Sequence, residues 1–182
     1  MTVETGVLER YSAGAESIQA DLCCPVDYDQ ELLTLLPQEI IDKDYGCGDP
    51  SRYVKKGDVV LDLGSGSGKI CYMAAQLVGD KGKVIGVDMN DDMLALARKY
   101  QQEMAEKLGS NRVEFVKGQI QDLALDLAAM NAHLAEYPIH KAEDIIILRA
   151  WQENQRKNAP LIADNSVDLV VSNCVLNLVH DS

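Results

Sequence analysis

The chain has 182 residues, 47% of them hydrophobic, which is enough for one sizeable core and argues for a single domain or a large part of one. Its 29 acidic against 17 basic residues give a net charge of −12, a surface that repels phosphate backbones and anionic lipid, so neither nucleic acid nor a membrane is expected as a partner. The N-terminal stretch has no basic start followed by an apolar segment, and no run approaches the roughly 18 apolar residues of a membrane span, which predicts a cytoplasmic protein.

In chain order, residues 1–57 read as a helical cap carrying Cys23, Cys24 and Cys47, with a short helix, Pro37 and a glycine-flanked loop, "DYGCGDP", around Cys47. Residues 58–182 alternate strand and helix. The segments "DVVLDL", "KVIGVD", "VEFVKG" and "SVDLVVSN" are short, rich in β-branched residues and bounded by Gly, Lys or Asp, the pattern of buried strands. Between the first two, Ile70, Met73, Ala74, Leu77 and Val78 recur at helical spacing up to Gly79. After the second, "NDDMLALARKYQQEMAEKLG" has acids in its first turn and Gly109 past its end, which predicts one helix. The stretch from about 122 to 163 is too long for a simple crossover and predicts an insertion of one or two helices. Parallel strands need such helical crossovers, so the expected fold is α/β, a parallel sheet with helices on both faces.

"VVLDLGSGSGKI" puts Gly64, Gly66 and Gly68 directly after a strand and before a helix, where bare backbone approaches a ligand at a helix N-terminus. An ATP-type P-loop fails here, because Leu63 stands where its first glycine is needed and Ile70 follows Lys69. The dinucleotide fingerprint G-x-G-x-x-G fails as well, its third glycine falling on Lys69 or on Cys71. What remains is D-x-G-x-G-x-G with Asp62 on the strand and Asp88 at the end of the next strand, where an acid accepts hydrogen bonds from both ribose hydroxyls. A glycine-rich turn after a strand is often mere structure; Asp88 in register favours cofactor binding.

This combination resembles the class I, Rossmann-like methyltransferases that use S-adenosyl-L-methionine. The resemblance implies that Asp62, Gly64, Ser65, Gly66 and Gly68 form the first cofactor motif and that Asp88 and Met89 end the second. Ile120 and Gln121 match the adenine-packing positions, with Gln121 standing where the family usually has an acid.

That fold carries many substrates, so the cysteines discriminate among them. The five form an odd set with no paired zinc spacing. Cys174 follows the fourth strand at the carboxyl edge where open α/β sheets bind ligands, and Cys47 lies in a loop that a cap can fold over that edge. Two thiolates there select a soft centre such as trivalent arsenic. "CCPVDYDQELL", "DYGCGDPSRYV" and "VVSNCVLNLV" are similar to the arsenite methyltransferases, particularly the arsenosugar-biosynthesis branch, over nearly the whole chain from about residue 20. The resemblance implies arsenite, arriving as a thiol adduct, as substrate and Cys47 and Cys174 as arsenic ligands. It also implies Cys23 or Cys24 as a delivery or redox thiol, Asn173 beside the methyl-transfer site, and Tyr45 shaping the pocket. Each thiol also has a packing alternative, and for Cys71 on the first crossover helix packing is the better reading. Trp151 is expected to serve as core or cap, and His133, His140 and His180 show no shared-metal spacing.

The family's sheet has seven strands and only four are recognisable here, so the sequence reads as C-terminally truncated, with an exposed sheet edge inviting self-association. Two alternatives stay open: a methyltransferase of another small molecule, and a non-catalytic fragment that binds the cofactor or a metalloid.

Overall fold

All four β-branched runs form strands. They are β1 (Val59–Leu63), β2 (Lys83–Asp88), β3 (Val113–Lys117) and β4 (Leu169–Ser172), every pair parallel, in the order β3-β2-β1-β4. The computed structural model describes residues 3–19 and 27–175, so Cys23 and Cys24 lie outside the described residues. From β1 the chain steps outward to β2 and β3, then returns to pair β4 with the other side of β1. That reversal places a topological switch point at the carboxyl ends of β1 and β4, where open α/β sheets leave a crevice.

The crossovers are α4 (Lys69–Val78), then α5 (Asp91–Lys99) with α6 (Gln101–Leu108), then α7 (Leu127–Glu136) with α8 (Ala142–Asn158). In α4, Ile70, Cys71, Met73, Ala74 and Val78 are buried in one core cluster with Val60, Val84 and Phe115. Cys71 has no exposed surface, as its packing reading requires. Leu61 and Val87 alternate to the opposite side of their strands and are buried too, so the sheet is covered on both faces.

The single helix expected over 90–109 is instead broken at Tyr100, whose φ of −102° and ψ of 2° interrupt the helical path. A tertiary contact accounts for the break. The Tyr100 hydroxyl donates to Glu39 in the cap, and Lys99 and Lys43 donate to the same carboxylate. These donors, Lys99 foremost, hold the Glu39 carboxyl down at about 2.

The cap consists of α1 (Val3–Glu16), α2 (Gln30–Leu33), α3 (Gln38–Asp42) and a 3-10 turn at Pro50–Tyr53. Its Tyr28, Leu36 and Ile40 join the same core cluster as α4, so the cap packs on the sheet domain through apolar burial. Asn90 fastens α1 to the start of α5. Its Oδ1 accepts from the Asp92 and Met93 N–H groups as an N-cap, while its Nδ2 donates to Leu8 O and Ser12 Oγ. The insertion forms as two helices, held together by His133 stacked on Trp151 at 4.4 Å and 11°. Among the described residues no helix is long and apolar enough to cross a membrane.

Candidate active site

A cavity opens at the switch point, and most residues expected around a cofactor form its wall. Asp62, Gly64, Ser65 and Gly66 come from the end of β1 and its loop, and Asp88 and Met89 from the end of β2. Ile120 and Gln121 follow β3, and Asn173 and Cys174 follow β4. Two predicted residues lie off the wall. Gly68 N-caps α4 with φ +85°, and a Cβ there would fall 2.6 Å from the Phe115 ring, so this glycine serves close helix–sheet packing. Cys47 is exposed just outside, although its neighbours Tyr45 and Gly46 line the cavity.

The glycine loop and the acid after β2 are linked directly. Asp88 Oδ2 accepts the Gly66 N–H at 2.8 Å and Oδ1 accepts the Asn90 N–H at 2.9 Å. At Gly66, with φ +51°, a Cβ would meet nothing within 4 Å, so bare backbone faces open space. Ser65 Oγ is buried without a partner among the described residues. An unsatisfied buried hydroxyl is costly, and a polar ligand in the cavity is a ready way to satisfy it. Burial raises the Asp88 carboxyl against the opposing pull of its N–H donors.

Asp62 is fully enclosed, and burial pushes its carboxyl up to about 7. The Cys71 thiol donates to its Oδ2 at 3.3 Å, and the charges of Asp44 and Asp88 raise it further. A carboxyl raised on folding adds stability that is full below its unfolded value near 4 and is lost as pH climbs to about 7. The protein is therefore expected to lose on the order of 2–4 kcal/mol of unfolding free energy from this group between pH 4 and 7. Asp62→Asn should flatten that limb in denaturant titrations; an unchanged slope would place the pH dependence elsewhere.

Sequence reasoning missed the groups that join the cap to this wall. Lys69, buried in the first turn of α4, pairs with Asp44 at 2.6 Å and sits 3.5 Å over the Tyr28 ring. A lysine at a helix N-terminus opposes the helix dipole, and that misplacement was the available signal for an acidic partner. Tyr11 of α1 also lines the cavity. Its phenol is pushed up by burial and then by the charge of neighbouring Cys174, and its ring meets that of Tyr45 edge-on at 6.2 Å. Tyr45 is buried and donates to Gly14 O at 2.9 Å, closing α1 over the site.

At the mouth, Cys174 is a free, exposed thiol whose backbone is left-handed, with φ +59°. Few residues other than glycine, asparagine and aspartate take that conformation, and strain of this kind concentrates at functional sites. The preceding residue reaches across to the Cys47 loop. Asn173 Oδ1 accepts the Cys47 N–H at 2.9 Å, and Asn173 Nδ2 donates to Gly48 O at 2.7 Å. Cys47 itself is disulfide-bonded, so a thiolate is available there only after reduction. Among the described residues no cluster of three or more His, Cys, Asp or Glu side chains forms a metal site.

A family model described as a methyltransferase domain matches residues 54–144, from just ahead of β1 into the start of α8. The chain belongs to the methyltransferase family. Among curated relatives of this family, the arsenite methyltransferase of Aquipseudomonas alcaligenes is 34% identical over 172 residues, covering 92% of this chain and 40% of its own length. The human arsenite methyltransferase is 34% identical over 154 residues, covering 84% of this chain and 32% of its own. The crystal structure of an arsenic(III) S-adenosylmethionine methyltransferase from Chlamydomonas reinhardtii superposes with a TM-score of 0.59 at 32% identity, covering 86% of this chain and 42% of that one. The chain thus spans about two fifths or less of the length of these relatives.

Proposed function

We propose that this methyltransferase chain binds S-adenosylmethionine in the cradle after β1 and trivalent arsenic at the cysteines beside it, and serves arsenite methylation. The observation that carries this reading is the placement of Cys174 and the Cys47 loop together at the open end of the cradle, joined through Asn173.

The cavity suits a cationic nucleoside. Asp88 and Asp62 line it, Asp44 is already paired with buried Lys69, and Lys43 on its wall is engaged by Glu39 and Ala15 O. Asp88 has acceptor capacity for ribose hydroxyls beyond its backbone donors, and Ser65 offers a hydroxyl. S-Adenosylmethionine, when bound, supplies an electrophilic methyl group on a sulfonium.

Arsenite is the substrate, delivered as a thiol adduct and exchanged onto Cys174 and reduced Cys47. Thiolates satisfy a soft centre, and their sulfurs displace oxygen ligands from it. The nucleophile is the arsenic lone pair, so no general base has to remove a proton. The chain's own contribution is alignment and exclusion of water by Tyr11, Tyr45 and the cap; well-oriented reactants can gain ~7–11 kcal/mol of the barrier this way. Because Cys47 must first be reduced, binding depends on a reductant. The β4 edge, which pairs only with β1 among the described strands, is where a second chain would add.

The test is to titrate arsenite and S-adenosylhomocysteine separately against reduced and oxidised protein, and then to follow labelled methyl transfer. Arsenite binding restricted to reduced protein, with transfer that requires arsenite, is the expected result. Binding without transfer would make the chain a binding module. Transfer to an organic acceptor without arsenite affinity would sink the arsenic reading.

A further inference from the structure

We infer that Asn173 is a positioning residue that sets the spacing of the two cysteines, by clamping the backbone of the Cys47 loop against the end of β4. The inference deepens the proposed function and rests on its reading of Cys47 and Cys174 as a ligand pair.

The carboxamide of Asn173 spends one acceptor and one donor on this loop, taking the Cys47 N–H and giving to Gly48 O. A primary amide does both at once from one fixed plane. The contact spans 126 residues of sequence and ties the loop directly to the residue that follows β4. The loop's other end is tied separately. Asp44 accepts the Gly46 N–H at 3.2 Å and pairs with buried Lys69 at the start of α4. The Cys47 loop is thus stitched on one side to the helix after β1 and on the other to the end of β4.

The fit also explains Gly46. A Cβ on that residue would lie 2.1 Å from Asn173 Nδ2 and 2.8 Å from its Cγ, which no side-chain contact tolerates. Gly46 is therefore glycine because the clamp passes over it. Cys174, next to Asn173, has its direction fixed by the left-handed backbone, so one dipeptide both carries a thiol and holds the loop that carries the other. The clamp engages backbone atoms and coexists with a disulfide-bonded Cys47. Reduction therefore releases the sulfur without releasing the loop, and the pair meets trivalent arsenic preorganised. Preorganisation raises affinity by removing the ordering cost from the binding step.

The experiment uses the reduced full chain carrying Cys23→Ser and Cys24→Ser, which removes the adjacent thiols as a competing pair. Phenylarsine oxide, which prefers two thiols, is the probe. Cys47→Ser in this background defines one-thiol affinity. Asn173→Ala is expected to weaken phenylarsine oxide binding at least tenfold, toward that limit, and to cost less than about twofold when Cys47 is already serine, the signature of coupled residues. Gly46→Ala, which leaves Asn173 in place, should reproduce the loss, and it carries the test if Asn173→Ala does not fold. Protection of buried Cys71 from a thiol reagent reports folding in each variant. Unchanged affinity in a folded clamp variant overturns the inference, as does an equal loss with and without Cys47. If Cys47→Ser alone costs nothing, the ligand reading itself has failed and the clamp falls with it.

Discussion

Replacing Cys174 with glycine should abolish tight binding of trivalent arsenic while leaving the fold as stable as the parent or more so. The two halves of this expectation come from different observations. Cys174 is exposed, so its side chain contributes little packing, and its φ of +59° is a conformation that costs an L-residue about 1–2 kcal/mol. Glycine removes that cost, offset in part by the extra freedom of the unfolded chain. Serine at the same position keeps the strained backbone and loses only the thiol. Binding falls in both variants, because one remaining thiolate cannot chelate; the loss of the intramolecular second contact is worth about 10²–10⁴ in affinity. Thermal melts of the two variants beside arsenical titrations check both parts. Retained affinity in the glycine variant would remove Cys174 from the site, and a glycine variant less stable than serine would remove the strain argument.

The strands of this protein were legible because each is a short β-branched run between turn residues, and the cradle because its glycines fall directly between strand and helix. Asp88 was legible by position alone, as the acid that ends β2. Less legible was anything decided by contacts far apart in sequence. The break at Tyr100 depends on Glu39, 61 residues away, and helical periodicity on either side gives no sign of it. The Lys69–Asp44 pair and the covering of the site by Leu8 and Tyr11 depend on how the cap docks. Gly68 belongs to the cradle by its spacing, but it is Phe115 from β3 that dictates its smallness. Asn173 was placed beside the reaction centre by resemblance to a family; its hold on the Cys47 loop needed the fold.

Asp88→Ala should reduce affinity for S-adenosylhomocysteine about 10²–10³-fold, through two losses that act together. The carboxylate is the natural acceptor for ribose hydroxyls, and hydrogen bonds to a charged group are worth about 1.5–3 kcal/mol each. It also holds the Gly66 N–H at 2.8 Å, so its removal frees the turn that presents bare backbone to the ligand. Asparagine does not rescue both functions, because one of its two terminal atoms is a donor and would face either the Gly66 or the Asn90 N–H. Since burial raises this carboxyl, acidification should weaken binding to the parent protein, as protonation removes the acceptor. Adenosine isolates the effect: it keeps the ribose and lacks the amino-acid arm, so a comparable proportional loss with adenosine places the defect at the sugar. Calorimetric titration of both ligands measures this. A loss with S-adenosylhomocysteine but none with adenosine would move the role of Asp88 from the ribose to the arm, and a loss below fivefold for both would take it out of the cofactor site altogether.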